Sequence, residues 1–206
     1  MPVLPPVPPA SLDPYLDATA RCFARYGVRR TSVQDVAREL GVATMGLYRY
    51  VADRQALEVL VVDHVFRSVD LDLPDGPWQD KIRVLLDRVR VAVARHPGLV
   101  PLVLRHRQAA PSSLRLIETM LAVLTDAGLS GTDRVVAQRT LVGYLLGFLQ
   151  NEHFAALSGP GTIVLSELPA DEYPLLARTA TDARAVPPDE EFRRGLGIVL
   201  RGLTAT

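Results

Sequence analysis

Apolar residues recur along the chain every three or four positions, which is the spacing that places them on one face of an α-helix. Prolines and glycines interrupt this pattern, and they predict loops over about residues 71–77 and 158–170. No segment shows the strict alternation of a strand. The pattern therefore predicts an all-α fold of nine or ten helices, at about residues 11–26, 33–40, 44–50, 54–69, 78–96, 99–107, 111–127, 132–157, 171–183 and 189–203.

The helix predicted over about residues 132–157 has the strongest hydrophobic signal, with the run LVGYLLGFL at its centre. A helix that is apolar nearly all round must be buried on several sides, either in the centre of one domain or against a second subunit. Gly143 and Gly147 are four residues apart and would let another backbone come close.

Composition narrows the class of protein. Apolar residues make up 48% of the 206 residues, but no apolar run reaches the roughly 20 residues needed to span a bilayer. No leader resembling a secretion signal is present, so we expect a cytoplasmic protein without membrane contact.

The single cysteine, Cys22, rules out an intrachain disulfide and occupies an apolar helix position, which predicts a buried thiol. The four histidines lack metal-site spacing, so no metal and no cofactor are expected.

The segment from Thr31 to Val51, TSVQDVARELGVATMGLYRYV, is the main functional signal. Ser32 is a natural N-cap, Asp35 follows it in a weak capping-box arrangement, and Gly41 stands where a helix ends. The second short helix, predicted over about residues 44–50, has an outer face that does not pack inward and is left for a partner. Net charge is zero overall, but residues 25–54 carry six arginines against three acidic residues. This arrangement predicts a helix-turn-helix whose second helix enters the major groove of DNA.

Residues 15–65 together resemble the tetracycline-repressor (TetR) family of transcription regulators. The resemblance is carried by Phe23 and Gly27, then by TSVQDVA (31–37), GV (41–42) and LYRYV (47–51), and finally by Arg54 and Leu57. It implies three regions: a flexible proline-rich arm at 1–10, a helix-turn-helix DNA-binding domain at 11–52, and a ligand-binding and dimerisation domain at 53–206.

The resemblance also implies which residues meet DNA. The free N–H groups at a helix start and side-chain hydroxyls can bind phosphate, and the Gln34 amide can pair with adenine. The apolar side chain of Met45 can cover a thymine methyl group. Met45 stands where the family often has Gly or Pro, and Gly46 where Thr or Ser is usual. The implied DNA-binding residues are Ser32, Val33, Gln34, Thr44, Met45, Gly46, Tyr48, Arg49 and Arg54.

An effector site is implied among the helices that follow the head. Its candidate residues are Val61, His64, Val65, Leu86, Leu104, Ile117, Met120, Leu121, Tyr144 and Phe148, with Trp78, His106, Gln150 and Asn151 as further polar or amphipathic candidates. The C-terminal pattern is similar to the tetracycline-repressor type. However, Gln150 or Asn151 stands where magnesium-bound tetracycline would need an acidic residue, so that ligand is not expected.

The resemblance implies a ligand-responsive repressor that binds a palindromic operator of double-stranded DNA as a homodimer and is released by a small molecule. Two other classes remain: a helical enzyme, and a helical dimeric small-molecule-binding protein without a DNA-binding role. No phosphate-binding loop, HExxH sequence, cysteine pair or nucleophile elbow is present, so we predict that the chain is not an enzyme.

Overall fold

The computed structural model describes residues 13–26, 32–39 and 52–203. Every regular element in these residues is helical, which confirms the all-α prediction. A 3₁₀ turn, Pro97–Leu99, precedes the fifth of the described α-helices. The helices are α1 Asp13–Tyr26, α2 Val33–Glu39, α3 Arg54–Arg67, α4 Trp78–Ala94, α5 Val100–His106, α6 Pro111–Asp126, α7 Gly131–Ala155, α8 Pro160–Ser166, α9 Pro174–Ala183 and α10 Pro188–Leu203.

Helix α8 corrects one expectation. Residues 158–170 were predicted as a loop because they contain glycine and proline, yet Pro160–Ser166 is a helix. Gly159 has extended backbone angles at the cap, and Pro160 opens the helix. Proline is favoured at a first helical position because its fixed φ is helical and its missing N–H needs no partner there. The predicted helix at 44–50 lies outside the described residues.

The described chain divides into two compact units. The first contains the described residues up to Leu71 together with Val91–Thr119. In it α1 packs on α2, on α3 and on the 3₁₀ turn, and α3 packs on α5. Cys22 is buried in this unit, as predicted. Its core also contains Leu16, Phe23, Val36, Val61, Val62, Leu99 and Leu102.

The second unit contains Asp72–Arg90 and the residues from Met120 onward. Here α7 packs against α10 and α8, and α8 packs against α9. The fully buried Phe192 ring is the centre of the α7–α10 contact. Phe148 meets it edge to face at 4.9 Å between ring centroids, and the Tyr144 hydroxyl donates a hydrogen bond to the Phe192 carbonyl oxygen at 2.7 Å.

The Tyr144 side chain of α7 lies tightly against α10 at Gly195. A Cβ placed there would meet the Tyr144 hydroxyl, and its distance to the nearest ring carbons would be only 3.0 Å. Gly195 is therefore the residue that lets Tyr144 reach the α10 backbone.

Helix α7 has one buried face and one exposed face. Ala137, Leu141, Leu145, Phe148 and Leu149 are buried. The opposite face includes Val136, Gly143, Gly147 and Phe154, all exposed in this single chain. Among the described residues no atom comes within 4 Å of a Cβ built at Gly143 or Gly147. The apolar run thus supplies more surface than its own unit covers.

No helix in the described ranges is both long and apolar enough to cross a membrane.

Candidate DNA-binding site and effector region

Helix α2 begins with a reciprocal cap formed by Ser32 and Asp35. The Ser32 hydroxyl and backbone N–H both donate to Asp35 Oδ2, at 2.6 and 2.9 Å, and the Asp35 N–H donates back to Ser32 Oγ at 3.2 Å. These bonds lower the pKa of Asp35 below its ordinary value. The hydrogen bond from the Ser32 hydroxyl has the largest effect, the one from the Ser32 N–H comes second, and the positive charge of Arg38 acts in the same direction. The sequence predicted this arrangement, in which aspartate takes the place of the usual glutamate.

The cap affects what Ser32 can offer to DNA. Its hydroxyl hydrogen is already donated to Asp35, so binding a phosphate through that hydrogen would require the cap bond to open. Gln34 is exposed on α2, and Val33 is the first residue of this helix. The other predicted groove-reading residues, Thr44, Met45, Gly46, Tyr48 and Arg49, lie outside the described residues.

Arg54 is the first residue of α3. Asp53 caps the helix by accepting a hydrogen bond from the Ala56 N–H at 2.8 Å. One turn further, Glu58 accepts a hydrogen bond from Arg54 Nε at 2.8 Å. The Arg54 side chain is 40% exposed, so the predicted phosphate-binding residue lies at the surface with its guanidinium oriented by a neighbouring carboxylate.

Glu58 is the centre of a charged cluster that joins α3 to α5. His106 Nε2 lies 2.8 Å from Glu58 Oε2, and because a carboxylate can only accept, the imidazole donates. Arg105 Nη1 is 3.7 Å from the same oxygen. These residues and Gln55 line a cleft of about 490 Å³ in the first unit.

Our sequence interpretation missed this cluster. A signal was present, because Glu58 shares helical spacing with Val61, Val62 and Val65, so it stands on the apolar side of α3. An acidic residue in such a stripe must find partners when the helix packs. His106 was interpreted either as a further effector-site residue or as a surface or satisfied core histidine, and the structure shows it buried and bonded to Glu58, a partner that the sequence did not identify.

Two more polar contacts hold α3 within the first unit. His64 Nε2 lies 2.8 Å from Asp17 Oδ1 on α1. Asp63 is buried and accepts a hydrogen bond from the Ser112 N–H, at the start of α6, at 2.6 Å. Burial lowers the pKa of the neighbouring His96, against the opposing effect of the Asp17 carboxylate.

The candidate effector residues are divided between the units. Val61, His64, Val65, Leu104 and Ile117 belong to the first, and Leu86, Met120, Leu121, Tyr144 and Phe148 belong to the second. Val61, Val65, Leu86, Met120 and Phe148 are buried, and the other five are half-buried. In the second unit, Tyr144 and Phe148 both contact Phe192. These two candidate effector residues therefore also stabilise the contact between α7 and α10.

Acidic residues near Tyr144 affect its ionisation. Burial raises the pKa of the Tyr144 hydroxyl, and the Glu191 carboxylate adds to this effect. Burial also raises the pKa of Glu191, with Glu152 acting in the same direction. Gln150 and Asn151 are exposed on α7. Within the described part of the chain, no three His, Cys, Asp or Glu side chains are grouped so that they could hold a metal ion.

The capped helix α2, the exposed arginine that opens α3 and an otherwise all-helical chain fit the class of helical DNA-binding regulators. Two family models match the chain: "Bacterial regulatory proteins, tetR family" over residues 16–57 and "Tetracyclin repressor-like, C-terminal domain" over residues 72–206. The chain therefore belongs to the TetR family. It is a DNA-binding transcriptional regulator with a ligand-binding C-terminal domain, and it is not an enzyme.

Relatives extend over nearly the whole chain. The HTH-type transcriptional repressor DrrR1 of Streptomyces coeruleorubidus is 27% identical, over 96% of this chain and 78% of the relative. The structure of the TetR family protein ActR of Streptomyces coelicolor in complex with actinorhodin has a TM-score of 0.77 at 21% identity and covers 97% of both chains. The structure of BioQ with its natural double-stranded DNA operator has a TM-score of 0.69 at 23% identity, over 94% of this chain and 98% of BioQ.

Proposed function

We propose that this protein is a repressor that binds a palindromic operator as a homodimer and releases it when a small, mostly apolar molecule binds. The observation that carries the proposal is the pairing, on one chain, of a tetR-family head with a C-terminal domain of the tetracyclin repressor-like type. Repression is supported by the similarity to DrrR1, a repressor.

The proposed DNA contacts are the nine residues named from the sequence. Exposed Gln34 and surface Arg54 fit this role, because an amide can pair with adenine and a guanidinium with phosphate. BioQ, which shares the fold, has been seen with its operator. One head reads only a few base pairs, so a two-fold dimer that places two heads one DNA turn apart gives the needed selectivity.

The proposed dimer uses the exposed faces of α7 and α10, which together with those of the partner would form a four-helix bundle. Gly143 and Gly147 have open space beside them, so a second helix can approach α7 closely. Ile198 on α10 is 64% exposed and would be covered. Exposed apolar side chains that are grouped on one surface mark a site of interaction with another molecule.

Two variants test the dimer. Ile198→Arg places a charge in the proposed bundle and should give a monomer by light scattering at micromolar concentration. The matched control is Leu114→Arg, because Leu114 is also an exposed aliphatic residue, at 53%, but lies on α6. The control should remain dimeric. A monomeric wild type, or an Ile198→Arg protein that stays dimeric, would overturn the proposed interface.

The proposed effector contacts are the ten residues named from the sequence. Their predominantly apolar character suits a mostly apolar molecule. ActR shares the fold and has been seen with actinorhodin, which supports a small-molecule role for such a C-terminal domain. An effector acts on DNA binding only if it favours one conformation over another, and operator and effector must then oppose each other reciprocally.

The test starts with selection of an operator from a random DNA library, followed by a screen for compounds that release it. Ile117→Ala and Leu121→Ala are better probes of the effector site than changes at Tyr144 or Phe148, since those two residues also hold α7 to α10. Both alanine variants should bind operator normally and respond less to the compound. Operator affinity that is equal with and without a tightly bound compound would refute regulation by release.

A further inference from the structure

The cleft between α3 and α5 carries a local excess of positive charge. Arg54 and Arg105 contribute two guanidinium groups, and among the described residues that line it Glu58 is the only acidic one. Even with a neutral His106, the described lining has a net charge of +1, which favours an anionic partner.

Glu58 does not cancel both arginines. One of its oxygens accepts from Arg54 Nε at 2.8 Å, and the other accepts from His106 Nε2 at 2.8 Å. Arg105 Nη1 lies 3.7 Å from that second oxygen, which is longer than a hydrogen bond. The Arg105 side chain is 61% exposed, whereas Glu58 is 6% exposed. Arg105 therefore presents its charge to the solvent side of the cleft.

We propose that Arg105 is a further contact to the phosphate backbone of operator DNA, supplied by α5 from outside the helix-turn-helix. This inference rests on the proposed DNA-binding function and on the assignment of Arg54 to phosphate. Because Arg54 and Arg105 approach the two oxygens of one carboxylate, their guanidinium groups lie side by side at the mouth of one cleft. A DNA strand that brings a phosphate to Arg54 brings a neighbouring phosphate within reach of Arg105, and guanidinium groups bind phosphate well.

The position of this contact links DNA binding to α5. His106, the next residue, is hydrogen-bonded to Glu58, so the backbone that carries Arg105 is fixed against α3 beside Arg54. A displacement of α5 relative to α3 would therefore change the position of Arg105 relative to Arg54.

The experiment uses the full-length protein and an operator duplex selected with the wild type, with affinity measured over a salt series. Arg105→Gln should weaken binding on all sequences. It should also make the plot of log affinity against log salt shallower by about 0.9 per subunit, or about 1.8 for a dimer, because one phosphate contact is lost in each subunit. Arg105→Lys keeps the charge and should keep most of the slope.

The control variant is Arg95→Gln. Arg95 is exposed in the same unit, but it lies beside His96, near His64 and thus near the end of α3 away from Arg54. It removes the same charge and should leave the slope unchanged. Equal effects of Arg105→Gln and Arg95→Gln, or no effect of either, would overturn the Arg105 contact while leaving DNA binding in place. A wild-type protein that selects no duplex would overturn the proposed function and this contact together.

Discussion

Loss of the buried contact between Glu58 and His106 should cost more stability than loss of an equally short contact in the same unit. His106 Nε2 and Glu58 Oε2 are 2.8 Å apart, as are His64 Nε2 and Asp17 Oδ1. The first two side chains are 6–7% exposed, whereas the Asp17 side chain is 49% exposed. His106→Leu and His64→Leu therefore remove contacts of the same length from different surroundings.

The expected magnitudes follow from burial. Removing one partner of a buried hydrogen bond costs about 1–3 kcal/mol, and more when the group left behind is charged. The Glu58 carboxylate is such a group, but Arg54 stays bound to its other oxygen, so we expect about 3 kcal/mol for His106→Leu. For His64→Leu we expect about 1 kcal/mol or less, because water replaces the lost partner of Asp17.

The measurement is the free energy of unfolding in urea, which does not screen charges as guanidinium chloride does. Protein concentration must be equal for all variants, since the stability of a dimer depends on it. The double variant Glu58→Leu/His106→Leu should lose less than the sum of the two single changes, because it leaves neither partner alone. The reasoning fails if His106→Leu costs no more than His64→Leu. It also fails if the costs of Glu58→Leu and His106→Leu add up to the cost of the double variant within about 0.5 kcal/mol.

Three further predictions concern other parts of the chain. Gly195→Ala should destabilise the second unit by about 1–3 kcal/mol in thermal or urea unfolding, because its methyl group would collide with Tyr144, and adding Tyr144→Phe should recover part of the loss. Ser32→Ala should lower the unfolding temperature at neutral pH. This difference should shrink as pH falls through the lowered pKa of Asp35, because the depressed carboxyl stabilises the fold only while ionised; a pH-independent difference would contradict the cap. Gln34→Ala should change which operator is selected and cost about 1–3 kcal/mol on the original one, and an unchanged selection would exclude Gln34 from base reading.

The helices could be predicted from sequence because their signals are local. Apolar spacing identified long elements such as α4 and α7, and the Ser32–Asp35 cap is a contact between residues three positions apart. Helix α8 was missed for a physical reason. Gly159 and Pro160 are breakers inside a helix but favourable at its start, and only the chain that follows decides between the two.

The charged cluster could be predicted only in part. The Arg54–Glu58 pair is one helical turn long and could have been found from spacing alone. The contact between Glu58 and His106 joins residues 48 positions apart, so it depends on how α5 packs against α3. The same limit applies to Tyr144, since the sequence showed an aromatic residue on an apolar helix but not the Phe192 carbonyl that it binds.

The contacts of α3 suggest how the binding of an effector could alter the binding of DNA. Glu58 ties this helix to His106, and Asp63 ties it to the backbone of Ser112. A helix held at both of these points moves when the segments that hold it move, or else the buried bonds break at a cost. The double variant Glu58→Leu/His106→Leu removes one of the two ties without leaving a buried charge from that pair.

We therefore expect this double variant to bind the releasing compound and the operator but to show weaker coupling between them. The quantity to measure is the ratio of operator affinities without and with saturating compound, which typically lies between about 5 and 150 in coupled systems. The ratio should fall toward one in the double variant, and the compound's own affinity should lose its dependence on operator to the same extent, because the coupling free energy is shared. The matched variant His64→Leu should keep the wild-type ratio. If the double variant kept it too, the signal would not pass through Glu58 and His106, and the Asp63–Ser112 contact would be the next to change.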